Sequence, residues 1–480
     1  MTEEKQTAIS AVESKKDLIE KTADQIWDYA ELSLREEKSA AYYCRVLEEE
    51  GFQVERGICG IQTAFSASFG NGSPRIGILA EYDALSGLSQ TAGSLELQER
   101  VPGGCGHGCG HNLLGAGSFG AALGVKAYLE KTGRSGTVIL YGCPGEEGVA
   151  SKAFMARDVV WKTLDAALSW HPEDVNEVRT GSSNSCIQIQ YKFTGIASHA
   201  AGAPEKGRSA LDAVELMNIG VQFLREHVSD RARIHYAITD AGGLSPNVVQ
   251  PRASVLYMIR SNHVAEAVEL QARVDRIAQG AALMTDTAVE SKFIDGLADT
   301  VSNHTIERVL YRNFEELGVP SYTEDELAFA DALAATYEGN DSVPGLGAAN
   351  DPILCEEVME LQKKSGHAMN DFLAPLYQGE AFSAGSTDVG DVSWQTPTAQ
   401  IHVASWPNGC PGHSWQNVSC DGTSIGRKAA VHAAKVLAAT AVDLYEEPDL
   451  IAEARAEFEK RTSSGYICPI PEDAEAEIPE

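Results

Sequence analysis

The chain has 480 residues, 43% of them hydrophobic, which is enough for packed cores and, by length, for about two or three domains. Its 69 acidic side chains against 38 basic ones leave a formal charge of -31. Such a field repels phosphate backbones and anionic lipid, so neither nucleic acid nor a membrane is an expected partner.

The opening residues, "MTEEKQTAISAVESKK", contain no apolar stretch of signal-peptide type, and no apolar run reaches the roughly 18 residues a spanning helix needs. A cytoplasmic address is expected. Ten cysteines scattered from Cys44 to Cys468 then read as reduced thiols rather than disulfides.

In chain order, "KKDLIEKTADQIWDYAELSLREEKSAAYYCRVLEEEGFQ" has helical apolar spacing and predicts two helices closing at Gly51. Strands are expected in Pro74 to Leu85, Gly136 to Gly148, Leu164 to Glu173 and Thr398 to Pro407, each a short apolar run stopped by polar or glycine residues. Helical segments such as "LLGAGSFGAALGVKAYLEKTG" lie between the first three. This is the pattern of an α/β fold: a mostly parallel sheet with helices on both faces.

Ligands of such sheets sit beyond the carboxyl ends of the strands. Glu81, Asp83, Glu146, Glu147, His171 and His413 are therefore expected to converge on one crevice.

From about Thr180 to Leu297 the order changes to strand, helix, two strands, helix, strand. That order predicts an inserted α+β, ferredoxin-like (split βαβ) domain. The expected organisation is a catalytic domain in two parts, 1–180 and 298–480, with the inserted domain at 181–297. The stretch from Glu324 to Gln378 reads as a largely helical insertion, and the acidic tail from Pro471 to Glu480 as disordered.

The chemistry concentrates in "GGCGHGCGHNLLG", Gly103 to Gly115. Cys109 and His111 are one residue apart, so a glycine-rich loop can aim thiolate and imidazole at one point, and these are donors for first-row divalent ions. Adjacent Glu146 and Glu147 in "PGEEG" repel each other unless a cation or proton compensates. One can ligate while the other stays free as a base. Two bridged ions would acidify a water and stabilise a tetrahedral oxyanion.

The ordered motifs "LEEEGFQ", "AEYDAL", "GCGHN", "CPGEEG", "WHPE", "GIASHAAGAPEKGRSALDA", "GGLSPNVVQPRASVLYMIR" and "GSTDVGDVSW" resemble the aminoacylase and carboxypeptidase superfamily of dinuclear metallohydrolases. Within it they resemble the amidohydrolases that include hippurate and auxin-conjugate hydrolases. The phrasing "GHGCGHNLLG" and "HYAITDAGGLSPNVVQ" is most similar to the bacterial p-aminobenzoyl-glutamate hydrolase family, which is cytoplasmic and linked to folate breakdown. The resemblance runs from about residue 20 to 440.

It implies two divalent ions, Mn2+ or Zn2+, bridged by Cys109, with His111 and His171 on one and Glu147 and His413 on the other. It also implies Glu146 as general base and later acid, with Asp83 among the catalytic residues. His199 on the inserted domain would reach into a partner subunit's site, and Asn247 and Arg260 would bind the substrate carboxylate. The inserted domain would then serve dimerisation and closure, in a homodimer or a hetero-oligomer with a homologous subunit.

Two departures stand out. Glu81 occupies a place where many superfamily members have a metal-binding histidine, leaving its contact with metal open. Asn112 replaces an aspartate that often follows "CGH".

The expected activity is amide hydrolysis of an N-acyl, preferably aroyl, amino acid, with p-aminobenzoyl-glutamate as the leading substrate and another N-acyl amino acid or a dipeptide as the alternative. Three further readings compete with it: a thiol acylase using Cys109 as nucleophile, a partner-dependent scaffold chain, and a binding module for acidic metabolites.

Overall fold

In the computed structural model, which describes residues 1–345, 350–379 and 381–477, the main strands are β1 (Gln53–Arg56), β2 (Phe65–Asn71), β3 (Arg75–Ala80), β4 (Gly136–Gly142), β5 (Ala166–Glu173), β6 (Glu177–Arg179), β7 (Ser185–Thr194), β8 (Arg233–Asp240), β9 (Arg252–Ser261), β10 (Ala288–Leu297) and β11 (Thr398–Ala404). The principal helices are α1 (Glu3–Ser14), α2 (Lys16–Tyr29), α3 (Glu37–Glu49), α4 (His111–Thr132), α5 (Ala210–Leu224), α6 (Val264–Thr285), α7 (His304–Leu317) and α8 (Ser424–Glu446). The chain divides into two units. One holds Met1–Ser182, Val301–Ser383 and Val392–Tyr466; the other holds Ser183–Thr300, Ala384–Asp391 and the stretch from Ile467.

The first unit is an α/β structure around a seven-stranded sheet of order β1-β2-β4-β3-β5-β11-β6. Its four central strands are parallel. The edge pairings are not: β1 with β2, β2 with β4, and β6 with β11 are antiparallel, so the sheet is mixed. The "QVER" and "FSASFGN" of β1 and β2 are polar enough to hide the strand signal, and they are tolerated because they lie toward an edge. Helix α1 also goes beyond the two helices expected at this end, burying only one side through Ala8, Ile9 and Val12.

Both faces of the central strands are covered. Every residue of β4 is buried; Ile76, Ile78, Val138 and Leu140 enter the same core as α4. Each apolar side chain of this size contributes about 1.5–3 kcal/mol on burial. On the opposite face the Tyr141 ring meets Trp161 with centroids 4.9 Å apart.

Helix α4 is buried without interruption from His111 to Val125 and packs against α1, α2 and α8, as a helix apolar on all sides must. At Gly117 an added Cβ would stand 2.7 Å from the Trp170 ring. The glycine thus lets α4 lie directly on β5, where Trp170 donates its indole N–H to Leu114 O at 2.9 Å. That contact seats the first residue of α4, His111, beside the carboxyl ends of the parallel strands.

The second unit has a four-stranded antiparallel sheet of order β8-β9-β7-β10. Alternate residues Ile187, Ile189, Tyr191 and Phe193 point into a core shared with Val214 and Met217 of α5 and Leu270 and Val274 of α6. Period-two burial on a strand faced by two helices is what the sequence pattern requires.

The expected insertion contains helices Glu324–Ala334 and Pro352–Ser365; its residues 346–349 lie outside the described residues, as do 478–480 of the acidic tail. The described part of that tail has no helix or strand, and Glu477 pairs with Lys292 at 2.8 Å. The ten cysteines are free. Among the described residues no helix is long and apolar enough to cross a membrane.

Candidate metal centre

The four parallel strands bring the expected donors together. Glu81 and Asp83 follow β3, Glu146 and Glu147 follow β4, and His171 lies near the end of β5. Gly110, with φ of 73°, takes the left-handed conformation that turns the loop into α4. Cys109 and His111 flank it. His413 follows β11 through a loop and itself has φ of 54°, an uncommon conformation for a histidine that is held in place by its N–H, which donates to Gly108 O at 3.1 Å.

The loop after β11 is braced by the insertion. Asn408 donates to Asn340 O at 3.0 Å and Ser342 O at 2.8 Å and accepts from Asn370 at 2.8 Å.

Two donor groups share one sulfur. Cys109, His111 and His171 offer atoms all within 4.8 Å of one another, and so do Cys109, Glu147 and His413. Cys109 Sγ is 3.5 Å from His171 Nε2, and His413 Nε2 is 3.5 Å from Glu147 Oε1. A third group comprises Glu81, His111 and Glu146.

Outer partners fix the donors. His111 Nδ1 donates to Asp83 Oδ1 at 2.8 Å, while Asp83 Oδ2 accepts from Ser33 Oγ and from the Glu147 backbone N–H, both at 2.9 Å. One carboxylate thereby holds a donor of each Cys109-centred group, and it commits His111 to presenting Nε2. His171 Nδ1 donates to Pro172 O at 2.6 Å, leaving its Nε2 toward the sulfur. Among the described residues, buried His111 Nε2 and Glu147 Oε1 find no hydrogen-bond partner.

The electrostatics describe a site short of positive charge. Burial, reinforced by Glu147, pushes the Cys109 thiol well above its ordinary range. Burial likewise raises Glu147 and pushes His171 down to about 3, with His111 adding to it. Burial works against His111, but Cys109 and Asp83 outweigh it and hold the ring protonated well above its usual range. A thiol, a raised acid and an imidazolium in one crevice gather protons where a cation would favour thiolate, carboxylate and neutral imidazole. Soft sulfur, imidazole and carboxylate donors suit divalent first-row ions.

Glu81 is not a free donor. Its Oε1 is 2.7 Å from the ammonium of Lys152, a fully buried residue, while Oε2 is 3.2 Å from His111 Nε2. Burial acts to raise this acid, but Lys152 and then the two histidines hold it below the usual carboxylate range. The sequence reading missed Lys152, although a lysine inside the apolar "ASKAFMA" was a signal that a buried acid awaited it. It also missed Ser33. His107, the other imidazole of the glycine-rich loop, is structural: its Nε2 bonds Ile26 O at 3.0 Å, and burial lowers it to about 4. Asn112 turns to Ala23 O at 3.4 Å.

His199, Asn247 and Arg260 belong to the second unit. Exposed His199 accepts at Nδ1 from the backbone N–H groups of Ala201 and Gly202, at 3.2 and 3.0 Å. A neutral ring so bonded carries its proton on Nε2, a ready donor. Asn247 lies beside it, its O accepting from Ala200 N at 3.0 Å. Arg260 stands near the far end of β9 and donates to Ser386 Oγ at 2.6 Å.

Known proteins resemble the chain in sequence and in fold. The profile of peptidase family M20/M25/M40 matches residues 77–339. The chain is 44% identical over 470 residues to one of the subunits of p-aminobenzoyl-glutamate hydrolase from Escherichia coli (strain K12), covering 96% of each chain. Two crystal structures share its fold. A dinuclear metal binding peptidase of the M20 family from Bacillus subtilis is 16% identical, with a TM-score of 0.54 over 90% of this chain and 99% of that one. An aminobenzoyl-glutamate utilization protein from Klebsiella pneumoniae is 15% identical, with a TM-score of 0.54 over 87% and 96%.

Proposed function

The chain belongs to peptidase family M20/M25/M40, and from that premise we propose that it hydrolyses the amide bond of p-aminobenzoyl-glutamate, releasing p-aminobenzoate and glutamate. The observation that carries this reading is the pair of donor groups meeting at Cys109, in a chain 44% identical to a hydrolase named for that substrate.

Cys109, His111 and His171 would hold one divalent ion and Cys109, Glu147 and His413 the other, whether manganese or zinc. Such ions acidify a water and polarise the acyl carbonyl. Glu146, beside the ligand Glu147, takes the proton of the attacking water and hands it to the departing amine nitrogen. Asp83 keeps His111 in the tautomer that faces metal.

The second unit supports the reading of residues 181–297 as a ferredoxin-like dimerisation and lid domain between catalytic parts 1–180 and 298–480. Its chain order is strand, helix, two strands, helix, strand, and its sheet is antiparallel. His199 donates a hydrogen bond from its Nε2–H to the scissile carbonyl oxygen, where negative charge develops. Arg260 takes a glutamate carboxylate in a bidentate fork, and Asn247 adds a donor.

His199 pairs with Val248, just before β9, whereas Arg260 lies eight residues along that strand from Arg252, about 26 Å away. The span suits an assembly in which each lid gives Arg260 to one site and His199 to its partner's. The partner is a second copy of this chain or a homologous chain, the latter favoured because the Escherichia coli relative is named as one component of a hydrolase with distinct subunits. The cytoplasm is the fitting compartment for ten free cysteines.

The test is release of free glutamate from p-aminobenzoyl-glutamate by the purified chain, stripped of metal and then titrated with manganese and with zinc. Metal-restored release is expected. Release that persists in chelator and is abolished by a thiol reagent would instead make Cys109 a nucleophile.

A further inference from the structure

Among the described residues three donor groups lie in the crevice, and His111 belongs to two of them. With Nδ1 committed to Asp83, the ring has one nitrogen to give. A cation among Glu81, His111 and Glu146 would compete with one between Cys109, His111 and His171.

We infer that Lys152 resolves this competition: its ammonium neutralises Glu81, closes the third group to metal and leaves His111 to the Cys109-centred group. The inference rests on the ligand reading proposed above. Lys152 lies on the short helix Ser151–Arg157, buried from Ser151 to Ala156, and its carbonyl accepts from the Trp161 indole at 2.9 Å. Its Nζ is 2.7 Å from Glu81 Oε1, and neither side chain is more than 3% exposed. A fixed positive charge there repels a divalent ion and takes up the negative charge that would attract one. Without it the buried Glu81 would keep only the imidazoles for compensation, with Oε2 3.2 Å from His111 Nε2, and would draw a cation there. Lys152 is therefore a positioning residue, setting which donors a metal can use without touching the substrate.

The experiment is calorimetric titration of the metal-stripped full chain with manganese chloride and zinc chloride, in the wild type, Lys152→Met, Glu81→Gln and the double variant. The wild type is expected to take two equivalents. Lys152→Met is expected to bind at least about tenfold more tightly, Glu81→Gln at least about tenfold more weakly, and the double variant as the wild type.

If Lys152→Met cannot be stripped without unfolding, the double variant decides, because removing both charges leaves none buried alone. A double variant as weak as Glu81→Gln would make Glu81 itself a ligand and overturn the inference, as would unchanged or weaker binding by Lys152→Met. A wild type that binds no metal overturns the ligand reading as well. Two equivalents in the wild type with no change in the variants overturns the inference alone.

Discussion

The donors gathered in the first unit and the polar residues carried by the second are built in opposite ways. Asp83 and His111 are buried, and Asp83 accepts three hydrogen bonds, from His111, Ser33 and the Glu147 backbone. His199 is exposed on a short pairing of two residues with two, and Asn247 is exposed just before the partner segment. The first arrangement fixes atoms before anything binds, as charge-stabilising sites must. The second leaves a donor at the surface for something that arrives later. In the reaction proposed above, the first unit would set the chemistry and the second would supply the donor that completes it.

Removing the shared sulfur tests the first half most severely. Cys109→Ala is expected to lose metal from both groups and to reduce turnover by more than the roughly 10- to 100-fold that loss of an outer partner costs. Metal content by plasma emission and kcat check this together; a variant that keeps both metals and full turnover sinks the bridging role. Glu146→Gln should lower kcat by about 10^2 to 10^4 with both metals retained. Loss of metal in that variant would move Glu146 into the ligand set.

The second half is tested by His199→Ala, expected to lower kcat by about 10^2 to 10^3 with metal content unchanged, the loss typical of an oxyanion donor. Mixing it with Glu146→Gln sharpens the comparison. If His199 serves a partner's site, hybrids of the two inactive variants regain activity, because one site then holds an intact Glu146 and an intact His199. No recovery in proven hybrids would confine His199 to its own protomer.

What the sequence made legible follows the same division. Residues that end parallel strands announce themselves, because the apolar run before them stops abruptly; Glu81, Glu146 and His171 all lie where such runs break. Antiparallel β1 and β2 did not, since polar strands near an edge carry little periodic signal. Lys152 was hidden for another reason: a buried cation is intelligible only with its anion, and Glu81 lies 71 residues earlier in the chain. The tautomer of His199 depends on two backbone N–H groups whose direction no side-chain pattern encodes.

The gentlest test lies in the outer partners. In Asp83→Asn the new amide cannot satisfy all three donors. If its oxygen faces His111, its NH2 confronts the Glu147 backbone N–H; if its NH2 faces His111, the imidazole proton must move to Nε2, the nitrogen offered to metal. Either way one donor of a Cys109-centred group is spoiled, and affinity for the ions should fall by about 10- to 100-fold. Ser33→Ala removes only one of the three donors and leaves the carboxylate paired with His111 and Glu147. Its cost should be about 1 kcal/mol in stability, with metal affinity little altered. Equal losses in the two variants, read by titration of the stripped protein, would mean that Asp83 acts through burial alone and that the tautomer of His111 is set elsewhere.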